Sequence, residues 1–454
     1  MGRILLKDIY YLNTSADAEG LRGYDLLMND NVVEKIAPEI EMGLSEDDRI
    51  IDCSRHVVVP GFVNTHHHFY QTLTRNIPAV QNAKLFDWLK YLYEVWKNLD
   101  EEAIYYSSML AMAELMKTGC TASTDHHYVF PHKAKDDLIG LQFKAAETMG
   151  IRFSPTRGSM SLSKKDGGLP PDTVVQSDED ILADSERVIR EWHDDADYAM
   201  RKVVLAPCSP FSVTEELMGR TAELARKYGV RLHTHVAETY DENDFCKEVY
   251  GRRPLELMMD TGFMGEDVFF AHGIHFNDEE LDELARTGTG IAHCPSSNMR
   301  LGSGICRVTE MLPKGVNVGI AVDGSASNDT SDMLGEMRQA MLLQRVKYGS
   351  DAVTASDVFR MASRNGARML GFSRAGTLEE GMAADAAIFD VHRLEYAGAQ
   401  SDPLAALVFS GYNHGTDYTI VNGRVTVEHG RITGFDEEEL TGKANEIAAR
   451  LLEG

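Results

Sequence analysis

Val57-Val58-Val59-Pro60-Gly61-Phe62-Val63-Asn64-Thr65-His66-His67-His68 is the stretch that decides how this chain folds. The apolar run 57–64 has the composition of a buried strand, and the histidines stand at its end. In an extended segment side chains alternate, so His66 and His68 point one way and His67 the other. Two imidazoles on one face can share a metal ion. A lone His-x-His is a weak signal, because surface or core histidines with hydrogen-bond partners are commoner than ligands. The decision falls to what the rest of the chain supplies.

Outward from this stretch, residues 57 to about 370 alternate short apolar strands with longer amphipathic stretches. The strand candidates are 57–68, 121–128, 152–160, 203–210, 231–238, 268–276, 290–299 and 318–326. Helical patterns lie between them, among them Glu101–Lys117, Asp178–Trp192, Glu215–Lys227 and Asp278–Ala285. Eight such units predict an α/β fold, a parallel (β/α)8 TIM barrel. A doubly wound sheet is the alternative, but no Gly-x-Gly-x-x-Gly follows a strand. The last barrel helix is expected from a Thr354-x-x-Asp357 cap to Leu370, before Gly371. Residues 1 to about 55 read as short strands and turns, and so do the segments after 375, where Asn422-Gly423 marks a two-residue hairpin turn. The expected organisation is a small β-sandwich built from 1–56 plus 375–435, a barrel over 57–374, and a C-terminal helix within 436–454.

The 454 residues carry a formal charge of −26. That makes duplex nucleic acid and anionic membranes poor partners, and it leaves a small neutral substrate open. The six cysteines are scattered with no Cys-x-x-Cys pair, which argues against a disulfide framework and a cysteine zinc site. Lys7 and Asp8 interrupt the N-terminal apolar run, Leu6 stands where a myristoylation site wants Ser or Thr, and no stretch reaches transmembrane length. A cytoplasmic protein is expected.

Catalytic groups of such barrels sit at the C-terminal ends of strands. Here strand one ends in His66 and His68, strand five in His233-Thr234-His235-Val236-Ala237-Glu238, strand six in His272, and strand eight in Val322-Asp323. One strand-end His or Asp is usually structural; four such ends in this order point to a metal site. Neutral imidazoles with one carboxylate suit zinc and leave a position for water, whose pKa the metal lowers towards about 7. In this reading Asp323 binds the metal and accepts a proton from the water. Glu238 stands outside the metal shell and carries a proton to the leaving side. His272 hydrogen-bonds the attacking water or the developing oxyanion.

The set Pro-Gly-Phe-Val-Asn-Thr-His-His-His, His-Thr-His-Val-Ala-Glu-Thr, Ala-His-Gly, His-Cys-Pro-Ser-Ser-Asn and Val-Asp-Gly-Ser-Ala-Ser-Asn-Asp resembles the amidohydrolase superfamily over essentially the whole chain. It is most similar to the mononuclear branch of cytosine, guanine and S-adenosylhomocysteine deaminases and triazine hydrolases. The resemblance implies one divalent metal per subunit, Zn2+ with Fe2+ the alternative, held by His66, His68, His235 and Asp323. It implies proton transfer by Glu238 and His272, and a homodimer or higher homo-oligomer. No strand-four lysine stands where binuclear relatives carry a carbamylated one. His233 is an extra, supporting or structural.

Finer features are similar to the bacterial 8-oxoguanine deaminases of that branch: His68-Phe69-Tyr70-Gln71-Thr72-Leu73-Thr74-Arg75, Leu85-Phe86-Asp87-Trp88-Leu89, Arg157-Gly158-Ser159-Met160-Ser161 and Ala206-Pro207-Cys208-Ser209-Pro210-Phe211. They imply hydrolytic deamination of an amino-substituted purine, 8-oxoguanine to urate first, with guanine, isocytosine, a pterin or an s-triazine as the alternatives. Cys208 stands where adenosine-type members usually carry His, which argues against a nucleoside. Gln71 either presents its amide to a base edge or is a surface glutamine. Trp88 either stacks on the substrate ring or packs in a helix core. Cys208 is expected to line the pocket, and Arg157 to hold a substrate oxygen or a loop carboxylate. A metal-free scaffold on the same fold would have lost these ligands, and all are present.

Overall fold

Gly61 divides the segment expected as one strand over 57–68. In the computed structural model, which describes residues 2–43, 45–135 and 137–453, His56–Pro60 pairs antiparallel with Ala386–Asp390, whereas Phe62–Asn64 pairs parallel with Cys120–Asp125. The expected strand is thereby corrected: its first part belongs to a peripheral sheet, its second to the barrel, and His66 to His68 lie in the loop beyond. The reason is local. The Gly61 N–H donates to the Asp385 carbonyl at 2.9 Å. A Cβ at Gly61 would come within 2.2 Å of the Thr121 side chain, so the chain crosses between sheets at a residue that has none.

Eight parallel strands follow in chain order: β1 (Phe62–Asn64), β2 (Cys120–Asp125), β3 (Arg152–Ser159), β4 (Val204–Pro207), β5 (Arg231–Val236), β6 (Val268–His272), β7 (Gly290–His293) and β8 (Val318–Ile320). Each pairs with the next. The ring closes where the Thr65 N–H donates to the Ile320 carbonyl and the Asp323 N–H to the His66 carbonyl, both at 3.0 Å. This is the expected (β/α)8 barrel. Several strands end earlier than their sequence suggests. β7 stops at His293 and gives way to a short helix, Pro295–Arg300; β8 stops at Ile320, ahead of a helical turn at Ser325–Asn328. Of the polar residues read as strand ends, His66, His68, Glu238 and Asp323 have left the ladder at the barrel mouth, whereas His235 and His272 are still paired in it.

The helices Glu101–Lys117 and Asp178–Trp192 start at caps, with Asp100 accepting from the Ala103 N–H and Ser177 from the Asp180 N–H. Thr354 and Asp357 form the expected capping box, and the helix they open ends at Gly371, whose φ is +79°. Its middle passes through a π turn at Met361–Asn365, where the Asn365 side chain donates to the Val318 carbonyl of β8 at 3.0 Å.

The terminal segments form two further sheets. One runs in the order Val32–Ala37, Tyr24–Asn29, Ile4–Ile9, Arg49–Asp52; the other in the order Arg431–Ile432, Arg424–Glu428, Tyr418–Val421, Ala386–Asp390, His56–Pro60, Tyr11–Leu12. Leu6, Leu26, Met28, Val58, Ile388 and Ile420 bury one shared apolar core, giving a sandwich. Asn422 and Gly423 make the hairpin turn with φ of +51° and +75°. Arg152 of β3 pairs with Asp385 at 2.6 Å with both side chains 2% exposed, and it also reaches the Asn422 side chain. The helix Glu437–Glu453 lies against Glu101–Lys117, where Lys443 and Arg450 pair with Glu102. No described helix is long and apolar enough to cross a membrane.

Candidate active site

The loop after β1 and the end of β5 bring three imidazoles together. His68 donates from Nδ1 to the His126 carbonyl at 2.8 Å, and His235 from Nδ1 to the Cys208 carbonyl at 2.6 Å. His66 places Nδ1 2.7 Å from His233 Nε2. Their Nε2 atoms turn inward: those of His68 and His235 lie 3.3 Å apart, and those of His66 and His68 each lie 3.4 Å from Asp323 Oδ1. His67 faces away, with Nε2 3.0 Å from the Ser331 hydroxyl, as strand alternation predicts.

Asp323, just past β8, and His272, the last residue of β6, have φ of +62° and +71°; Ala237, before Glu238, has +55°. Left-handed backbone at three non-glycine residues is strained, and it persists where the surroundings hold it. The holding groups are visible. The buried Glu242 carboxylate accepts the N–H groups of Ala237 and Glu238, both at 2.9 Å. His272 Nδ1 lies 2.8 Å from the Asn298 side-chain oxygen, which makes that nitrogen the donor. His272 Nε2 then faces Glu238 Oε2 at 3.6 Å and Asp323 Oδ2 at 3.8 Å.

Burial pulls His66, His68 and His235 below the ordinary imidazole range, so they are neutral at pH 7, the form a metal requires. Burial opposes the charge of Asp323, yet the surrounding imidazoles, His66 first among them, hold it well below the carboxylate range. Burial pushes Glu238 up, against the pull of His272. His272 is drawn down by burial, but the Glu238 and Asp323 carboxylates overcome this and leave it raised.

The donor set fits a metal ion. Among the described residues His66 Nε2 is buried with no hydrogen-bond partner, and the outward nitrogens of His68 and His235 are tied to carbonyls, so lone pairs converge on one point. Ligand atoms about 2.0 Å from a tetrahedral ion stand roughly 3.3 Å apart, which the observed 3.3–3.4 Å separations match.

A cavity of about 440 Å³, its mouth included, opens over this centre. Gln71, Trp88 and Cys208 line it, as do Leu85, Leu89 and Phe211. The Gln71 amide oxygen accepts from the Ala326 N–H at 3.3 Å. Burial pushes the Cys208 thiol up to about 12, so it is a neutral S–H and not a nucleophile. Arg157 does not reach the cavity, which corrects its reading as a substrate-oxygen ligand. Its guanidinium bonds Asp184 at 2.6 Å, Gln176 at 2.9 Å and the Gly158 carbonyl, and it lies over the Phe130 ring. A carboxylate has it instead, but one on the helix Asp178–Trp192 and not on a loop.

The sequence reading passed over Asn298, Glu242, and Tyr93 and Tyr128 on the cavity wall. It also passed over His126, whose ring stacks on His235 at 4.7 Å. Signals existed: His126-His127 is a second histidine doublet after a strand, and Thr239-x-x-Glu242 has capping-box spacing.

A barrel whose mouth gathers three histidines and an aspartate beside a Glu–His pair has the architecture of a hydrolase. The chain belongs to the amidohydrolase family, whose pattern matches residues 57–426. Among curated relatives, it is 48% identical over 403 residues to the 8-oxoguanine deaminase of Pseudomonas aeruginosa, covering 89% of each chain. It is 36% identical to the hydroxydechloroatrazine ethylaminohydrolase of Pseudomonas sp. strain ADP, covering 96% of this chain and 92% of that one. Among solved structures, the atrazine chlorohydrolase of Arthrobacter aurescens TC1 complexed with zinc superimposes with a TM-score of 0.93 at 29% identity, covering 98% of this chain and 100% of that one.

Proposed function

We propose that the protein is a metal-dependent deaminase of an amino-substituted aromatic N-heterocycle, with 8-oxoguanine, hydrolysed to urate and ammonia, as its preferred substrate. The observation that carries the reading is the convergence of three inward Nε2 atoms and Asp323 beside the Glu238–His272 pair. The 48% identity to an 8-oxoguanine deaminase supports the choice of purine.

His66, His68, His235 and Asp323 would hold one divalent cation, Zn2+ before Fe2+ for this nitrogen and oxygen set. Bound there, the ion would supply hydroxide near neutral pH by lowering the pKa of water towards about 7. Asp323 accepts the proton of the attacking water. His272 steadies the developing oxyanion, with its ring fixed by Asn298. Glu238, its carboxyl raised by burial, delivers a proton to the ring nitrogen beside the amino-bearing carbon; the proton Asp323 took from the water passes to the amine, which leaves as ammonia, and the hydroxyl proton returns to Glu238 as the carbonyl forms. Gln71 pairs with a base edge, Trp88 packs on the ring, and the Cys208 thiol meets a substrate oxygen.

The relative that acts on hydroxydechloroatrazine favours a second reading, alkylamine or chloride displacement from an s-triazine at the same centre. Ammonia release by the zinc-loaded protein, measured against 8-oxoguanine, guanine, isocytosine, isoxanthopterin, adenosine and an aminotriazine, with alkylamine and chloride release measured beside it on an alkylamino- and a chloro-s-triazine, separates the two. Preference for 8-oxoguanine is the expected result. Turnover of the triazine alone would replace the substrate and keep the centre, and turnover of none would overturn both.

A further inference from the structure

The three histidines assigned to the metal each turn one nitrogen outward, and the groups that receive these nitrogens differ in kind. For His68 and His235 the receiver is a backbone carbonyl. A carbonyl only accepts, so both rings carry their hydrogen on Nδ1 and present a lone pair at Nε2. For His66 the receiver is another imidazole, His233, at 2.7 Å. That contact alone allows the proton on either ring. The far side of His233 decides it. His233 Nδ1 lies 2.8 Å from the Phe269 carbonyl and must carry the N–H. A neutral His233 then has only a lone pair at Nε2, and the proton between the rings belongs to His66 Nδ1. The His233 ring is wholly buried and stacked on Phe269, with centroids 4.2 Å apart and planes 21° apart, so its orientation is fixed.

We infer that His233 is a positioning residue of the metal centre, the middle of a Phe269 carbonyl–His233–His66 relay that holds His66 in the Nδ1–H tautomer with Nε2 bare towards Asp323. The inference rests on the metal reading above and deepens it. Without an acceptor at 233, the His66 Nδ1–H would be a buried donor with no partner. The ring would relieve this by turning or by moving its proton to Nε2, and either change removes a ligand. Losing such outer support typically costs about 10–100-fold in metal affinity.

The test is zinc affinity of the full chain by competition with a chromophoric chelator at fixed pH, for wild type, His233→Leu and His233→Gln, with urea unfolding of each metal-free protein as the folding control. Gln can place an amide oxygen where His233 Nε2 stands, whereas Leu cannot accept. The expected result is a loss of about 10–100-fold for His233→Leu and retention within about threefold for His233→Gln. A folded His233→Leu that binds zinc as tightly as wild type would overturn the relay, and so would a His233→Gln that falls as far as His233→Leu. A wild type that takes up no zinc would overturn the metal centre itself. If His233→Leu does not fold, proton NMR of the Co(II)-substituted wild type decides. Three exchangeable, paramagnetically shifted N–H signals, from Nδ1 of His66, His68 and His235, support the relay; two would contradict it.

Discussion

Glu238 stands 3.6 Å from His272, is buried, and among the described residues accepts only a long hydrogen bond of 3.5 Å from Ser303. A carboxyl so placed has a proton to exchange and no structural partner to lose. Glu238→Gln is therefore expected to keep the fold and the metal while lowering kcat by about 10²–10⁴-fold, read by steady-state kinetics beside metal analysis. A Cβ on Gly324 would come within 1.9 Å of the Gln71 side-chain oxygen. Gly324→Ala should push Gln71 off the cavity wall and raise KM for the preferred substrate by about tenfold, with a smaller effect on kcat. At this scale the sequence was readable where chemistry repeats a spacing, as at His66-x-His68 and His235-x-x-Glu238. It was not readable at Arg157, because the direction of a long side chain is set by Asp184 and Gln176, which only the fold brings to it. Asn298 and Glu242 were missed for a related reason: they act through His272 and through backbone N–H groups, a role that neither the capping spacing at Thr239-x-x-Glu242 nor the motif ending in Asn298 spells out.

Between residues and fold, the elements show how the mouth is held. Glu336, on the helix Met333–Tyr348, accepts from the Asn328 side chain at 2.7 Å and the Ser296 N–H at 3.3 Å. It thereby joins the segments that follow β8 and β7. Burial pushes its carboxyl up to about 8. Between the unfolded value near 4.5 and that folded value, the native state holds a proton that the unfolded state has released, so this group's contribution to stability falls as pH rises through the window and levels off above it. Urea unfolding at pH 5 and pH 8.5 should show Glu336→Gln gaining relative to wild type at the higher pH, by on the order of 1–3 kcal/mol. An equal difference at both values would contradict it. Periodicity gave helix bounds well because caps such as Asp100 and Ser177 sit in the sequence. It overran the strands because Asp323 and Glu238 follow their strands directly while turning out of the ladder with left-handed backbone at Asp323 and Ala237.

At the scale of the whole molecule, the sandwich and barrel are joined through Gly61 and through the buried Arg152–Asp385 pair. Asp385→Ala would leave a buried guanidinium uncompensated and should cost about 3–5 kcal/mol, measured by urea unfolding, while zinc affinity stays unchanged. The return of the C-terminal strands to the N-terminal ones was legible from two strand-rich ends flanking an alternating middle. The crossing at Gly61 was not, since an apolar run reads the same in either sheet. The measurement that tests the account most directly is turnover of 8-oxoguanine by protein stripped of metal and then titrated with zinc. The account predicts no ammonia from the stripped protein, activity that rises to a plateau at one zinc per chain, and one urate formed per ammonia. Undiminished turnover by the stripped protein would contradict it.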